Sequence, residues 1–143
     1  MLRLYAGYPA AIEFLRAVAR AWPARKSGRR PASYGSWRRW RIAGERLCRR
    51  VYGEGYPRLR TFMRALDPDL DEWMILEGYG KTLSRGGLSV AERELATVSA
   101  LAALGWSRQL DAHLEGAERV GAPPAHVARA RTIGQRCRRT SRS

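Results

Sequence analysis

The chain has 143 residues, of which 45% are hydrophobic and 28% charged. These proportions are typical of one globular domain and exclude wholesale disorder. No apolar run approaches the roughly 18 residues of a membrane-spanning helix, and no charged start leads into an apolar stretch typical of a signal peptide. Cys48 and Cys137 lack the spacing of metal or redox sites, so we predict a cytoplasmic protein.

Basic residues are the unusual component of the sequence. Lys and Arg number 27 against 13 acidic residues, giving a formal net charge of +14. Such an excess indicates either a polyanionic partner or an arginine-biased composition with basic ends. The basic residues cluster outside the middle of the chain, which favours the second interpretation.

Apolar periodicity, with Gly and Pro as punctuation, predicts a series of helices. In chain order they cover residues 9–22, 36–52, 57–66, 67–83, 89–104 and 107–120, with a last helix starting at 123–124. Residues 23–35 are predicted to form a loop or arm. No stretch has the period-two alternation of a strand, so we predict an all-α fold.

The best-specified helix starts at Ser89. Ser89 and Glu92 fit a capping box, in which each residue bonds the backbone amide of the other. At about 100° per residue, the apolar arc of this helix includes Leu95, Val98 and Leu101. Glu94 lies at the edge of that arc, so an acidic side chain is predicted to face inward.

A second inward polar residue, His113, is predicted on the following helix. Gly105 ends the first helix, and Ser107 is the expected N-cap of the next. An antiparallel pair of helices brings the inward residues of its two arms together. Glu94 and His113 can therefore form a general acid/base dyad. The residue pattern by itself favours a merely structural buried pair.

Three stretches carry a family resemblance: VYGEGYPRLR, LDPDLDEWMILEGYGKTLSRGGLSVAERELATVSALAALG and QLDAHLEGAERVGAP. Together they span about residues 51–130 and resemble the carboxymuconolactone decarboxylase family of the alkylhydroperoxidase D-like superfamily. The resemblance implies an all-α, alkylhydroperoxidase D-like helical domain.

The resemblance also implies which branch of the superfamily to consider. The thiol-peroxidase branch has a glutamate, a Cys-x-x-Cys and a histidine in fixed order. Glu94 and His113 match its glutamate and histidine, but Trp106 and Gln109 occupy the two cysteine positions. Without those thiols, peroxidase or disulfide chemistry is excluded. The decarboxylase branch, which lacks the thiols and uses no metal or organic cofactor, is the better match.

The implied function is a lyase-like or isomerase-like reaction on a small carboxylated lactone or related acid. His113 would donate or accept a proton, and Glu94 would orient and charge it. The substrate-binding side chains predicted around this pair are Gln109, Trp106, Arg93 and Tyr8. Arg93 would recognise a carboxylate only if it turned inward, and a solvent-facing Arg93 is the favoured expectation.

The order of the segments departs from the family. The stretch YAGYPAAIEFLRA, residues 5–17, resembles a helix that the family places after the histidine helix. Circular permutation explains this order, and the end of a preceding repeat explains it better. The predicted division is 1–22 as that N-terminal helix, 23–35 as a basic linker, 36–137 as the carboxymuconolactone decarboxylase-like domain and 138–143 as a basic tail.

The predicted partners are a small-molecule substrate and further copies of the chain. The resemblance implies a trimer or hexamer. The alternative function is a catalytically inactive oligomeric binding or scaffold module. In its nucleic-acid version, the stretch SWRRWR would bind through Trp37, Trp40 and the arginines between and beside them. Helical aromatics at this spacing are more often core residues, so nucleic-acid binding is the less favoured prediction.

Overall fold

A computed structural model describes residues 2–21 and 34–140. Within these ranges the chain is helical and contains no strand, which confirms the all-α prediction. The helices are α1 (Leu2–Ala21), α2 (Trp37–Tyr52), α3 (Tyr56–Leu66), α4 (Pro68–Trp73), a π-helix (Met74–Leu83), α5 (Val90–Leu104), α6 (Ser107–Arg119) and α7 (Pro124–Thr140). No helix in the described ranges is both long and apolar enough to cross a bilayer.

Local sequence signals set the ends of α5. The Ser89 side chain accepts from the amide of Glu92, and the Glu92 carboxylate accepts from the amide of Ser89, so the predicted capping box is present. Gly105 ends the helix in the left-handed conformation, with φ of 77°. The expected N-cap of α6 is wrong, because Ser107 is already helical and Trp106 holds the cap position without a side-chain bond.

The single helix predicted over residues 67–83 is divided in two. Asp67 caps α4 by accepting from the Leu70 amide at 2.7 Å, and the chain widens into a π-helix after Trp73. The π-helix crosses α2 with backbones in contact. A Cβ on Gly44 would overlap the carbonyl of Ile75, and one on Gly80 would overlap the carbonyl of α2 opposite it. Tertiary packing therefore decides the path of this segment.

The core consists of two adjoining hydrophobic clusters. The first is built mainly from α2 and the π-helix and includes Leu47, Cys48, Val51, Ile75, Tyr79 and Leu83. The second is built from α5, α6 and α7 and includes Val98, Leu101, Ala102, Leu110, Ala117, Val127 and Ala130. Ala91 of α5 packs against both clusters. Burial of these apolar side chains is the main stabilising contribution to the fold.

A buried carboxylate joins α3 to α4. Asp71 is 2% exposed, and its Oδ2 accepts from Arg60 Nη2 at 2.9 Å and from Arg64 Nη2 at 3.0 Å. Hydrogen bonding from Arg60 lowers the pKa of Asp71, against the opposing effect of burial, and Arg64 adds to the lowering. The carboxylate is therefore ionised and paired inside the fold.

The N-terminal helix contacts the rest of the fold through its first turns. α1 bends at Gly7, where φ is 76°, and Leu4 and Tyr5 before the bend pack against the two core clusters. Ile12 and Leu15 after the bend are 53% and 62% exposed. The sequence predicts that this helix packs against residues 89–121 through the apolar stripe after Pro9, which includes Ile12 and Leu15. In the structure that stripe is exposed, and Tyr5 makes the contact instead.

Two of the predicted segment boundaries can be compared with the structure. Residues 23–33 of the predicted basic linker, and residue 22 before them, lie outside the described residues. At the other end, α7 continues through Thr140. The boundary predicted at residue 138 therefore falls inside a helix.

Candidate active site

The two inward polar residues of the α5–α6 hairpin are hydrogen-bonded to each other. His113 Nδ1 lies 2.7 Å from Glu94 Oε2, and the two residues are 6% and 2% exposed. An ionised carboxylate only accepts hydrogen bonds, so this contact places the proton of a neutral ring on Nδ1. The contact predicted across the hairpin is present, and it lies away from bulk solvent.

The second ring nitrogen of His113 is the one left for a reacting molecule. His113 forms its hydrogen bond through Nδ1. Within residues 2–21 and 34–140, every side-chain nitrogen or oxygen that is fully shielded from solvent has a hydrogen-bond partner. No hydrogen bond of Nε2 is found in this part of the chain, so Nε2 is not fully shielded from solvent. Glu94 therefore holds Nδ1 in a fixed orientation, and Nε2 has no hydrogen-bond partner within the described residues.

Gly116 allows α6 to approach α2 beside this pair. It lies three residues after His113 on the same helix and is buried. A Cβ at this position would lie 2.7 Å from Val51 Cγ1 and 3.3 Å from Glu94 Oε2. Protein interiors are close-packed, so a side chain here would displace the valine, the carboxylate or both.

Aromatic rings enclose the imidazole on two sides. Tyr5 of α1 meets it edge-on, with ring centroids 6.1 Å apart, and Tyr52 of α2 meets it at 6.3 Å. Thr97 Oγ1 donates to the Tyr5 hydroxyl at 3.3 Å. Burial raises the pKa of Tyr5 and of Tyr52. Both hydroxyls therefore stay protonated at neutral pH and can act as donors.

The buried cysteine belongs to the same interior region but is a poor nucleophile. Cys48 is fully buried beside Tyr79 in the first core cluster. Burial raises the pKa of its thiol to about 12, and the thiolate is the reactive form of cysteine. Cys48 therefore lacks the features of a peroxidatic cysteine. Cys137 is exposed on α7.

The predicted substrate-binding residues differ in their exposure to solvent. Trp106 is 48% exposed and Tyr8 64% exposed. Gln109 is also exposed, and it makes no hydrogen bond to another described residue. Arg93, for which a solvent-facing side chain was favoured, is instead 8% exposed. Its guanidinium donates to the carbonyls of Arg85 and Gly86.

The arginine- and tryptophan-rich stretch at the start of α2 is only partly available for stacking. Trp37 is 46% exposed, with the Arg38 guanidinium 5.3 Å from its ring centre. Trp40 is half-buried, and Lys81 Nζ of the π-helix lies 5.4 Å from its ring centre. One of the two rings therefore packs within the fold.

The sequence analysis did not identify three residues that lie near His113: Tyr5, Tyr52 and Thr97. Thr97 had a usable signal, because it lies three positions after Glu94 and shares its helical face. Tyr5 also had a signal, because residues 5–17 resemble a family helix that is expected to line the same site. Tyr52 had none, since it reaches His113 from α2. The described residues contain no group of three His, Cys, Asp or Glu side chains placed to hold a metal ion. The site is therefore a histidine–carboxylate pair in an aromatic surround.

These features define the protein's class: an all-α fold in which a helical hairpin carries a buried histidine–glutamate pair. Residues 68–140 match the Carboxymuconolactone decarboxylase family, which is just over half of the 143-residue chain. The chain belongs to this family. The matched region includes Glu94 and His113, whereas Tyr5 and Tyr52 lie outside it. No curated protein matches the chain.

Proposed function

We propose that this carboxymuconolactone decarboxylase-like protein performs acid/base chemistry on a small carboxylated lactone or related acid without a cofactor. The observation that supports the proposal is the 2.7 Å contact between His113 Nδ1 and Glu94 Oε2. This contact orients the imidazole and compensates its charge when it is protonated. Nε2 is then the atom that exchanges a proton with the substrate.

The proposed reaction needs one proton delivered to carbon. A carboxylated lactone loses CO2 when the bond to its carboxylate carbon breaks, and the electron pair left behind is delocalised into the lactone carbonyl. The Nε2–H of protonated His113 supplies the proton that forms the new C–H bond, and solvent then reprotonates the ring. Glu94 accepts the hydrogen bond from Nδ1–H throughout and keeps the ring in place.

The test is release of CO2 from a panel of carboxylated lactones. We expect His113→Gln to lower kcat by at least about a hundredfold, because a positioned general acid contributes roughly 10²–10⁴ in rate. Glu94→Gln should change the pH profile of kcat. His126→Gln is the matched control, since His126 is exposed on α7, and it should leave turnover unchanged.

Two results would count against this function. Full turnover by a folded His113→Gln variant would remove the imidazole from the chemistry. Folded wild-type protein that releases no CO2 from any lactone in the panel would favour the alternative, a catalytically inactive binding or scaffold module. Circular dichroism of each variant separates loss of chemistry from loss of fold.

We also propose that the protein is a homo-oligomer, as a trimer or hexamer. The support is the apolar stripe after the bend in α1, where Ile12 and Leu15, which lie one turn apart, are each more than half exposed. Exposed apolar surface of this kind is typical of protein–protein contacts. At a net charge of +14, repulsion between copies opposes assembly, so added salt should strengthen it.

A further inference from the structure

An open cleft lies between α2 and the segment that leads into α5. Its volume is about 370 Å³, within the range of small-molecule sites. α2 lines one wall, and the segment between the π-helix and α5 lines the other. The cleft is separate from His113 and Glu94, neither of which lines it.

Arginines dominate the polar lining of this cleft. Arg46, Arg50, Arg85 and Arg93 all line it, and no acidic residue does. Arg46 and Arg50 are exposed and lie one turn apart on α2, so their guanidinium groups project from the same face. Neither forms an ion pair with another described residue. Their charges are therefore available to a bound anion.

Arg93 holds the opposite wall in place. It is 8% exposed, and its Nη2 donates to the backbone carbonyl of Arg85 and, at 3.0 Å, to that of Gly86. These bonds tie the segment before α5 to the helix itself. Arg93 thus fixes the backbone of Arg85, a residue that lines the same cleft as the two arginines of α2.

The first turn of α5 also reaches this cleft. Ser89 and Val90 line it, and the Glu92 carboxylate accepts from the amide and the hydroxyl of Ser89. This turn therefore already holds one carboxylate, and the attraction for a bound anion comes from the arginines, which form charge-assisted and bidentate hydrogen bonds.

The remaining lining is apolar. Leu47, Leu83 and Leu88 contribute to it, and Leu88 is 50% exposed. A free inorganic anion gains nothing from these side chains, whereas an organic ligand can bury apolar surface against them. A single carboxylate is satisfied by one bidentate arginine, but a phosphate dianion has the charge and oxygens to engage several.

We propose that this cleft binds a small phosphomonoester whose phosphate is held by Arg46, Arg50 and Arg85 and whose apolar portion packs on Leu88. The phosphate lies between the α2 arginines and Arg85. This binding does not depend on the acid/base function proposed for His113, so a His113→Gln variant keeps it.

The experiment is isothermal titration of the full-length protein with phenyl phosphate and, separately, with inorganic phosphate at constant ionic strength. We expect one site per chain and tighter binding of phenyl phosphate. The Arg46→Gln/Arg50→Gln double variant should weaken that binding at least about tenfold, because charge-assisted hydrogen bonds are lost. Leu88→Asp should weaken it similarly, by placing a carboxylate in the cleft.

The matched control is Arg131→Gln/Arg136→Gln, which removes the same charge from exposed positions of α7 and should change the affinity less than about twofold. Equal weakening by both double variants would reduce the effect to net charge and overturn the proposal. So would absence of phenyl phosphate binding, or inorganic phosphate binding equally well. Displacement of phenyl phosphate by a short single-stranded oligonucleotide would overturn it in favour of a nucleic-acid surface.

Discussion

Replacing Gly116 by alanine tests the close packing that holds the histidine–glutamate pair. The added methyl group would lie 2.7 Å from Val51 Cγ1 and 3.3 Å from Glu94 Oε2. Val51 is only 1% exposed, so it has no free space into which to move. The methyl group must therefore be accommodated by separation of α6 from α2 or by displacement of the carboxylate.

The expected magnitude is the difference between two opposing effects. Glycine to alanine inside a helix stabilises by about 0.5–1 kcal/mol, whereas overpacking a close-packed site costs about 1–3 kcal/mol. We expect Gly116→Ala to lower the free energy of unfolding by about 1 kcal/mol. Gly78→Ala is the matched control, because its Cβ would meet only the Trp73 carbonyl at 3.9 Å, and it should be neutral or slightly stabilising.

The assay is urea unfolding of both variants and wild type, followed by circular dichroism. Nitrogen NMR of the His113 ring supplies a second readout, because a displaced Glu94 would no longer hold the Nδ1 proton. A Gly116→Ala protein as stable as Gly78→Ala, with an unchanged His113 spectrum, would refute the packing argument.

Three further predictions concern other parts of the molecule. Asp71→Asn should cost about 3 kcal/mol at neutral pH, since it leaves buried arginine contacts unmatched. Because the pKa of Asp71 is lowered in the folded protein, this stabilisation is present above about pH 4 and is lost as the pH falls further. Urea titrations measure the effect, with Asp69→Asn, a change at an exposed position, as the control. A thiol reagent at pH 8 should modify Cys137 in the native protein. Cys48, whose pKa is about 12, should react only after denaturant is added, and rapid labelling of both cysteines in native protein would contradict the burial of Cys48. Leu15→Asp should reduce the sedimentation coefficient, because it places a charge on the exposed apolar stripe of α1, and a wild-type monomer at every concentration and salt level would contradict the proposed oligomer.

Much of the fold follows from local signals in the sequence. The capping box of Ser89 and Glu92 and the left-handed Gly105 set the ends of α5 within the chain itself. Such signals depend on neighbours within a few residues, so they survive without tertiary information. The Glu94–His113 contact was also predictable, because a short turn between two helices brings their inward faces together.

What surrounds that pair depends on the other helices. Helical periodicity predicts the face of the helix on which a side chain lies. It does not predict which other helix packs against that face. Tyr5 and Tyr52 reach His113 from α1 and α2, and the same limitation left Arg93 expected in solvent. The approach of helices is set by contacts between segments far apart in sequence.

The sequence by itself therefore determined the all-α class, most helix ends and the pairing of Glu94 with His113, because each depends on local geometry. Only the tertiary structure decided the π-helix, the bend of α1 at Gly7 and the arginine-lined cleft beside α2. Each of these depends on close approach between separate segments, such as α2 against the π-helix at Gly44. Close-packed contacts of that kind are properties of the assembled interior.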